Sequence, residues 1–397
     1  MLAGVSPLAM AARGGGGRPA WVPSGASLVL ELARDRYWGA ARDLISATRA
    51  SGASMTDLAG VVTYVGDDAF RRVDRGSPVE GPLLNRVLRS ADLSILPWAN
   101  LVGGTASAPV ITANAGLAPD GTMTATRIQF NKGAGTTTSD VVRRQQSYAS
   151  SAVASATSVW VRSHDGVSSY RMTFSGPGSG DISVPVGPTW TRLVNTGVGA
   201  ATPVLFLGLR GGLTPANSDT ADVLVWGAQA ENSPSATSYI PTGATTAARA
   251  GDIIEMPVGP WFNDAEGTLV AQIRDVDLAA DRPSLSLGAG TSRMFELRRS
   301  LGVTASLSST TVRPAGSALP TRTVHVGGYR RSPALLRAAN GATFQDDTAA
   351  TYGATPAYIR FGASPDGTQF LSGYIERVLY FPVLLSPEEM QAVCVLS

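Results

Sequence analysis

Short runs of β-branched, aromatic and aliphatic residues recur along most of this chain, and turn-forming residues separate them. Between residues 105 and 245 the runs include TATRIQF, SATSVWVRS and ADVLVWGAQ, with turns such as Pro119-Asp120-Gly121 between them. Seven or eight strands at this spacing are typical of a β-sandwich or jelly roll. Residues 250–397 repeat the pattern with GTLVAQIRD, TRTVHVGGYR and GYIERVLYF. The sequence therefore predicts two consecutive β-sandwich domains.

The composition supports an all-β class. The 397 residues include 44 Gly and 25 Pro, and only 16% are charged, which favours short strands and tight turns over helical bundles. A chain of this length is expected to form two or three domains. One short helix is predicted near the end, because Ser386 precedes Pro387 and Glu389 lies three residues after the serine.

Turn and linker residues divide the chain into four predicted segments. Residues 1–26 contain four consecutive glycines and are interpreted as a flexible Gly-rich arm. Residues 27–103 mix several short elements and end near a Gly-Gly pair, which predicts a small mixed N-terminal attachment module. The two sandwiches, a jelly roll and a second β-sandwich, are then expected over residues 104–246 and 247–397.

An apolar patch lies near the end of the predicted N-terminal module. It holds more apolar surface than a small module is expected to bury alone, so it is a candidate contact between the subunits of a symmetric homo-oligomer. The alternative is that the patch packs on its own jelly roll. The candidate contact residues are Leu83, Leu84, Leu88, Leu96 and Trp98.

Charge and cysteine content argue against several functions. The formal net charge is +2, from 32 basic and 30 acidic residues, and the basic residues are scattered, so no nucleic-acid partner is predicted. The single cysteine, Cys394, excludes an intramolecular disulfide and a cysteine-based metal cluster. No window approaches the roughly 18 apolar residues that a transmembrane helix needs, so no membrane insertion is predicted.

The residues that catalysis needs are scarce. The chain has two histidines, His164 and His325, and they lie in different predicted domains. It therefore offers few residues from which a catalytic triad could form. His325 alternates with two valines, which predicts that it lies on the solvated face of a strand. Adjacent carboxylates occur at 67–68, 346–347 and 388–389, but neighbouring side chains point apart on a strand. The chain is therefore not expected to be an enzyme.

Three aspartates form an oxygen-rich loop in the second sandwich. Asp275, Asp277 and Asp281 could hold a structural calcium ion, but their spacing lacks the EF-hand pattern. A solvated loop is the favoured alternative. No other cofactor is predicted.

Seven tryptophans are the candidates for stacking against sugar rings. Most are expected in the cores, since they lie inside apolar strands. Trp190 and Trp261 each follow a proline-containing turn, which favours partial exposure and makes them the candidate glycan-binding residues.

Motifs in both sandwiches carry a family resemblance. Residues 46–51 read SATRAS, residues 119–125 read PDGTMTA, and residues 225–231 and 237–242 read VWGAQAE and TSYIPT. These motifs resemble those of bacteriophage and gene-transfer-agent head-spike or tail-fibre proteins with a carbohydrate-binding-module-like jelly roll. The last domain is similar to concanavalin A-like (laminin-G-like) phage domains through the motifs IRFG, GYIERVLY and LSPEEMQAV.

The resemblance implies a structural protein of the virion surface, on the capsid or the tail, that is made in the bacterial host cytoplasm. Its N-terminal part would attach to other virion structural proteins, and its lectin-like domains would adhere to host cell-surface polysaccharide. Two alternatives stay open: a capsid decoration or adaptor protein without glycan binding, and a capsular polysaccharide depolymerase. The matching residues are turn, strand and core residues, so the resemblance carries over no sugar-binding residue.

Overall fold

The fold is that of a computed structural model, which describes nine ranges of the chain. Most of the predicted arm over residues 1–26 lies outside them, as do Asp277 and the side chain of Asp275. No helix within the described ranges is long and apolar enough to span a membrane. The ranges are 24–150, 153–177, 180–199, 202–275, 281–299, 303–306, 311–312, 322–340 and 343–394.

Regular structure in these ranges is almost entirely β-strand, which confirms the all-β class. One α-helix, α1, spans Pro387–Cys394 in the described residues. The strands, in chain order, are β1 Leu28–Glu31, β2 Arg36–Trp38, β3 Ser46–Thr48, β4 Ala53–Thr56, β5 Val62–Val65, β6 Ser77–Val79, β7 Leu83–Asn85, β8 Ala99–Gly103, β9 Ser107–Gly116, β10 Ala125–Asn131, β11 Val141–Ser147, β12 Ala154–Ser163, β13 Tyr170–Ser175, β14 Ile182–Val186, β15 Thr191–Val198, β16 Val204–Arg210, β17 Thr220–Glu231, β18 Ala247–Arg249, β19 Ile253–Pro257, β20 Glu266–Asp275, β21 Arg282–Ala289, β22 Ser292–Arg299, β23 Val303–Ser306, β24 Thr311–Val312, β25 Arg322–Arg331, β26 Ala334–Asn340, β27 Thr343–Asp347, β28 Tyr358–Phe361 and β29 Gly373–Phe381.

The described residues form two compact units, and the chain passes from one to the other four times. The first unit contains the described parts of residues 1–50, 67–81 and 251–397, and the second contains those of 51–66 and 82–250. Each unit is built around two antiparallel sheets. Two β-sandwiches are therefore present, as the strand spacing predicts.

The first unit places its main core between two sheets. Sheet A has the strand order β2-β1-β29-β20-β25-β26-β27, with β6 also paired to β29, and sheet B has the order β24-β23-β22-β21-β28-β19-β3. Apolar side chains of both sheets, such as Leu269, Phe295 and Ile375, fill the space between them. Helix α1 packs Met390 and Val393 against the other face of sheet A. The central strands of sheet A are therefore covered on both faces.

Helix α1 begins with the capping arrangement that the sequence predicts. Ser386 Oγ accepts a hydrogen bond from the backbone N–H of Glu389 (3.2 Å), and Glu389 Oε2 accepts one from the backbone N–H of Ser386 (2.8 Å). These two bonds satisfy donors that have no partner within the helix itself.

The second unit is also a sandwich of two sheets. Sheet C has the strand order β15-β12-β17-β10-β9, and sheet D has the order β14-β13-β16-β11-β8. Apolar residues such as Ile128, Val159 and Leu207 fill the core between them. The hairpin of β4 and β5 and the pair of β7 and β18 complete the unit.

The VWGAQAE and TSYIPT motifs join strand β17 to the segment that follows it. The rings of Trp226 and Tyr239 pack with their centroids 4.6 Å apart. The buried carboxylate of Glu231 accepts hydrogen bonds from the backbone N–H of Thr237 (2.9 Å) and from its hydroxyl (2.5 Å). The motif residues therefore stabilise the fold of the second unit.

Residues 27–103 differ from the prediction, because their strands belong to the sheets of both units and form no separate module. Strand β1 pairs with β29 and β3 with β19 in the first unit, whereas β8 pairs with β11 and β7 with β18 in the second. Strands β1, β3 and β8 have three to five residues and bury little apolar surface alone, but they gain backbone hydrogen bonds by extending a larger sheet. The last passage between units falls after residue 250, four residues beyond the predicted boundary.

Most of the predicted assembly patch packs within the second unit. Trp98 is 1% exposed, and its indole N–H donates to the carbonyl of Leu88 (3.2 Å). Leu83 and Leu84 are half-buried on β7, and Leu96 is 80% exposed. This packing agrees with the alternative prediction, in which the patch packs on its own jelly roll. Homo-oligomerisation stays a prediction.

His325 is buried, which corrects the prediction of a solvated position. Its Nδ1 lies 3.0 Å from Ser284 Oγ of sheet B, whereas Val326 belongs to the cluster under helix α1. Alternation does place the two residues on opposite faces of β25, but both faces are covered here. Burial lowers the pKa of His325 to about 3, and the charge of Arg299 acts in the same direction.

A buried ionic cluster lies near the points where the chain enters and leaves the first unit. Asp252 accepts hydrogen bonds from Arg49 Nη1 (3.0 Å) and from Arg71 Nη2 (2.5 Å). Arg71 Nη2 also donates to Glu80 Oε2 (2.8 Å), and the backbone N–H of Glu80 donates to Asp252 (2.9 Å). Burial alone would lower the pKa of Arg71, but Glu80 and Asp252 outweigh burial and raise it. Arg71 therefore keeps its charge within the cluster.

The Asp252→Asn variant is expected to lower the free energy of unfolding of the first unit by about 3–5 kcal/mol, because it leaves two buried guanidinium groups without their shared carboxylate. Asp281→Asn is the matched control, since Asp281 forms an exposed ion pair with Arg298, and it is expected to cost about 0–1 kcal/mol. Urea denaturation followed by circular dichroism measures both. Similar losses in the two variants would contradict the role given to the cluster.

The His325→Gln variant is expected to reduce the loss of stability in mild acid. The unfolded chain protonates this histidine below its ordinary pKa of 6.5, whereas the folded chain does so only near 3, so the wild type loses stability as the pH falls between these values. At pH 4.5 this histidine costs the wild type roughly 2–3 kcal/mol relative to pH 7.5. Urea denaturation at both pH values should show that loss shrinking in His325→Gln and persisting in the control His164→Gln. An unchanged loss in His325→Gln contradicts the assignment.

Candidate functional site

Trp261, one of the two predicted glycan-binding residues, is a core residue of the first unit. Its side chain is 2% exposed and packs edge-on against Phe262 (5.7 Å between centroids) and Tyr380 (5.2 Å). A sugar ring cannot stack on an indole that other rings enclose. The preceding proline turn directs the residue into the core, so the prediction of exposure is wrong for this position.

Trp190 is half-buried on the second unit, with limited ring surface free. Its indole N–H donates to the carbonyl of Leu117 (3.3 Å), and its ring packs beside the aromatic cluster of sheet C. The guanidinium carbon of Arg162 lies 5.5 Å from the ring centroid. A glycan contact at Trp190 stays a prediction, and it requires Arg162 to move from the ring.

The predicted calcium loop is described only at Asp281. Its carboxylate oxygens accept hydrogen bonds from Arg298 Nε (3.1 and 3.2 Å). Asp277 and the side chain of Asp275 lie outside the described residues, and no group of three or more metal-ligating side chains occurs within those residues. A calcium site therefore stays a prediction.

Histidines and adjacent carboxylates have structural partners where the structure describes them. His164 lies 3.7 Å from Asp222, and that carboxylate also pairs with Arg127 through two short hydrogen bonds. Asp346 accepts two hydrogen bonds from Arg337 (2.6 Å each). Both carboxylates neutralise an arginine.

The outer face of sheet D is the candidate binding site, because it combines an aromatic ring with many polar groups. Alternation creates it: Val142 of β11 and Leu205 and Leu207 of β16 point into the core, so the residues between them point outward. We call this surface the arginine face. Its residues are Arg143, Gln145, Arg171, Thr173, Asp181, Phe206, Gly208, Arg210 and Asn217.

Arg143 and Phe206 form the centre of the arginine face. The guanidinium carbon of Arg143 lies 4.1 Å from the centroid of the Phe206 ring and covers it, so the phenylalanine is only 4% exposed. Arg143 Nε donates to Gln145 Oε1 (2.6 Å). Gln145 lies opposite Phe206 in the pairing of β11 with β16. The guanidinium is thus held on the ring at one end, and its two Nη atoms have no partner among the described residues.

Gly208 lies in the middle of the face and adds no side chain to it. It lies opposite Arg143 on β11 and opposite Thr173 on β13. A Cβ atom at this position would lie 2.2 Å from the carbonyl oxygen of Val142 and 2.6 Å from the Cα of Arg143, closer than real Cβ contacts allow. Only glycine fits, so no side chain from this position separates Arg143 from Thr173, and both Gly208 and Thr173 are buried.

Asn217 organises the far side of the face. Its Oδ1 accepts hydrogen bonds from the Thr173 hydroxyl (2.5 Å) and from the backbone N–H of Arg210 (3.3 Å). Its Nδ2 donates to Ser183 Oγ (3.4 Å). One amide thus fixes groups from three neighbouring strands, which limits how much they must reorder when a ligand binds.

The arginine face carries more positive than negative charge. Arg210 forms an ion pair with Asp181, whereas neither Arg143 nor Arg171 has a carboxylate partner among the described residues. Partial burial lowers the pKa of Arg143; Asp181 opposes this effect and Arg210 adds to it. A partly desolvated guanidinium without a carboxylate partner remains at the centre of the face.

Sequence reasoning missed the arginine face because its signals require the strand pairing. The run VLFLGLR reads as continuous core, so Phe206 and Gly208 have no distinguishing feature in it. The run VVRRQQS does alternate in burial, with Val142 and Arg144 inward and Arg143 outward. Only the register between these two runs shows that Phe206 meets Arg143.

Comparisons with known proteins return distant structural similarity alone. No family model and no curated protein matches the chain. Its structure is similar to CBM40 of the Ruminococcus gnavus IT-sialidase bound to α2,3-sialyllactose (18% identity, TM-score 0.30, 33% of this chain and 83% of that chain). It is also similar to the CBM22-1-CBM22-2 tandem domain of Paenibacillus barcinonensis Xyn10C (10% identity, TM-score 0.25, 77% of this chain and 97% of that chain). At these scores the similarity supports no conclusion about ligand or function.

Proposed function

We propose that this chain is a non-enzymatic glycan-binding protein and that the arginine face of its second unit is the binding surface. The observation that carries the proposal is the ring-stacked Arg143, whose Nη atoms have no partner among the described residues, beside Gly208, where only glycine fits. Sugars present flat apolar patches edged by hydroxyl groups. They are held by planar side chains together with a few fixed hydrogen-bonding groups.

The chemistry of the face fits this task. The guanidinium of Arg143 lies flat on Phe206, and the Gln145 amide beside it offers donors to hydroxyl groups. On the other side lies the half-buried amide of Asn217, which hydrogen bonds to Thr173 and Ser183 hold in place. Affinity for one sugar at such a half-exposed surface is expected to be modest, so function depends on several copies acting together.

We further propose that the protein is displayed on the surface of a bacteriophage-type particle, as a head spike or tail fibre that adheres to host polysaccharide. The resemblance of the PDGTMTA, VWGAQAE and TSYIPT motifs supports this setting. Many identical subunits on one particle would convert weak binding at each arginine face into stable adhesion.

Glycan binding is tested with the full chain on an array of bacterial capsular and lipopolysaccharide oligosaccharides. The double variant Arg143→Ala/Gln145→Ala is expected to reduce the affinity for bound glycans about ten-fold or more, because it removes the fixed planar group and its hydrogen bonds. The matched control Arg162→Ala/Trp190→Ala removes an arginine and its ring from the outer face of sheet C, and it is expected to bind normally.

Thermal melting of both double variants shows that they are folded. Binding that survives in the arginine-face variant and disappears in the Trp190 variant would move the site to sheet C. Absence of binding by the wild type to every glycan on the array contradicts the proposed function. Release of new reducing ends from any bound polysaccharide contradicts its non-enzymatic part.

Display on a particle is tested by mass spectrometry of purified particles from the bacterium that encodes the chain. The protein is expected among their components, and gold-labelled antibodies against the second unit are expected to decorate the surface of intact particles. Particles that lack the chain, or labelling only after disruption, contradict this setting.

A further inference from the structure

We infer that the arginine face selects acidic glycans, with Arg143 holding the carboxylate of the sugar. The inference rests on the proposed function and names the ligand class for the same site. Its basis is the combination of a fixed guanidinium, two Nη atoms that have no partner among the described residues, and an excess of positive charge on the face.

The geometry of Arg143 suits a carboxylate. Its Nε is occupied by Gln145 (2.6 Å), and its plane is held against Phe206 (4.1 Å to the centroid). The Nη1 and Nη2 atoms have no hydrogen-bond partner among the described residues, so their outward N–H groups form a fork. A carboxylate matches this fork with two parallel hydrogen bonds, and the fixed plane reduces the entropy lost on binding.

The charges around the fork favour the same ligand. The face holds three guanidinium groups, on Arg143, Arg171 and Arg210, but only one carboxylate among the described residues, on Asp181. Asp181 pairs with Arg210, which leaves Arg143 without an ion-pair partner among the described residues. A neutral sugar would leave that partly desolvated charge as it is, whereas an anionic sugar would neutralise it.

Arg162, another ring-stacked arginine of the second unit, is a different case. Arg162 lies 5.5 Å from the Trp190 centroid, and its Nη1 donates to the carbonyl of Ser163 (3.1 Å), so one arm of its fork is already used. Arg162 is therefore the matched control for Arg143.

The preference is measured by titration calorimetry with the full chain at low salt. The probes are oligogalacturonate and α2,8-linked oligosialic acid, each compared with the same oligosaccharide after reduction of its carboxyl groups to alcohols. The wild type is expected to bind at least one acid about 10–100-fold more tightly than its reduced form, the range of a charge-assisted bidentate contact. The preference should weaken as salt is raised.

The variants assign the preference to Arg143. Arg143→Gln is expected to bind the acid and the reduced form equally, Arg143→Lys to keep part of the preference because it keeps the charge without the fork, and Arg162→Gln to behave like the wild type. A full preference in Arg143→Gln overturns the assignment to Arg143.

Two further outcomes separate the inference from the proposed function. Equal binding of the acids and their reduced forms by the wild type overturns the acidic preference and leaves glycan binding intact, whereas absence of binding to all of them, together with an empty glycan array, contradicts both. A last measurement uses oligogalacturonan sulfate whose carboxyl groups have been reduced, so that it carries sulfate groups in place of carboxylates. Tighter binding of this sulfate than of the carboxylate overturns the carboxylate assignment.

Discussion

The carboxylate of Asp252 is the buried charge on which the arrangement of the first unit depends. It joins Arg49 and Arg71, which come from two separate N-terminal segments, to the start of the C-terminal sandwich. Backbone hydrogen bonds do not depend on the side chains, so short strands could add to a sheet in more than one order. A buried ion pair adds little net stability compared with apolar packing, but an incorrect arrangement would leave charges unpaired. The cluster thus favours a single arrangement of the three chain segments that build this unit.

Much of the architecture could be predicted, because strand spacing and turn residues are local signals. The two sandwiches and the terminal helix follow from such signals. The partner of a strand is not local: Leu30 of β1 pairs with Val378 near the other end of the chain. The N-terminal strands therefore looked like a separate module. The prediction for His325 was wrong for a related reason. Alternation identifies the two faces of a strand, but it does not show that helix α1 covers one of them.

The candidate site was less predictable than the fold, because exposure and contact depend on packing. Trp190 and Trp261 follow similar turns, yet one is half-buried and the other enclosed. For Phe206 the sequence is misleading in the opposite direction. Its run reads as core, but Phe206 lies on the outer face because its apolar neighbours on both sides fill the sandwich. An aromatic residue within an apolar strand can therefore belong to a surface, and only the pairing register reveals it.

The partners of each ring-stacked arginine distinguish a structural role from a binding role. In the first unit, Arg331, Arg337 and Arg360 lie over aromatic rings and each pairs with a carboxylate. In the second unit, Arg192 lies over Trp160 and donates to the carbonyl of Thr237 and the hydroxyl of Ser158. Their Nη atoms are committed to the fold. Arg143 has the shortest ring contact of this set, 4.1 Å, yet both its Nη atoms remain without a partner in the described chain. Its orientation is fixed while its hydrogen-bonding capacity is unused, which is the condition expected of a group that is pre-organised for a ligand.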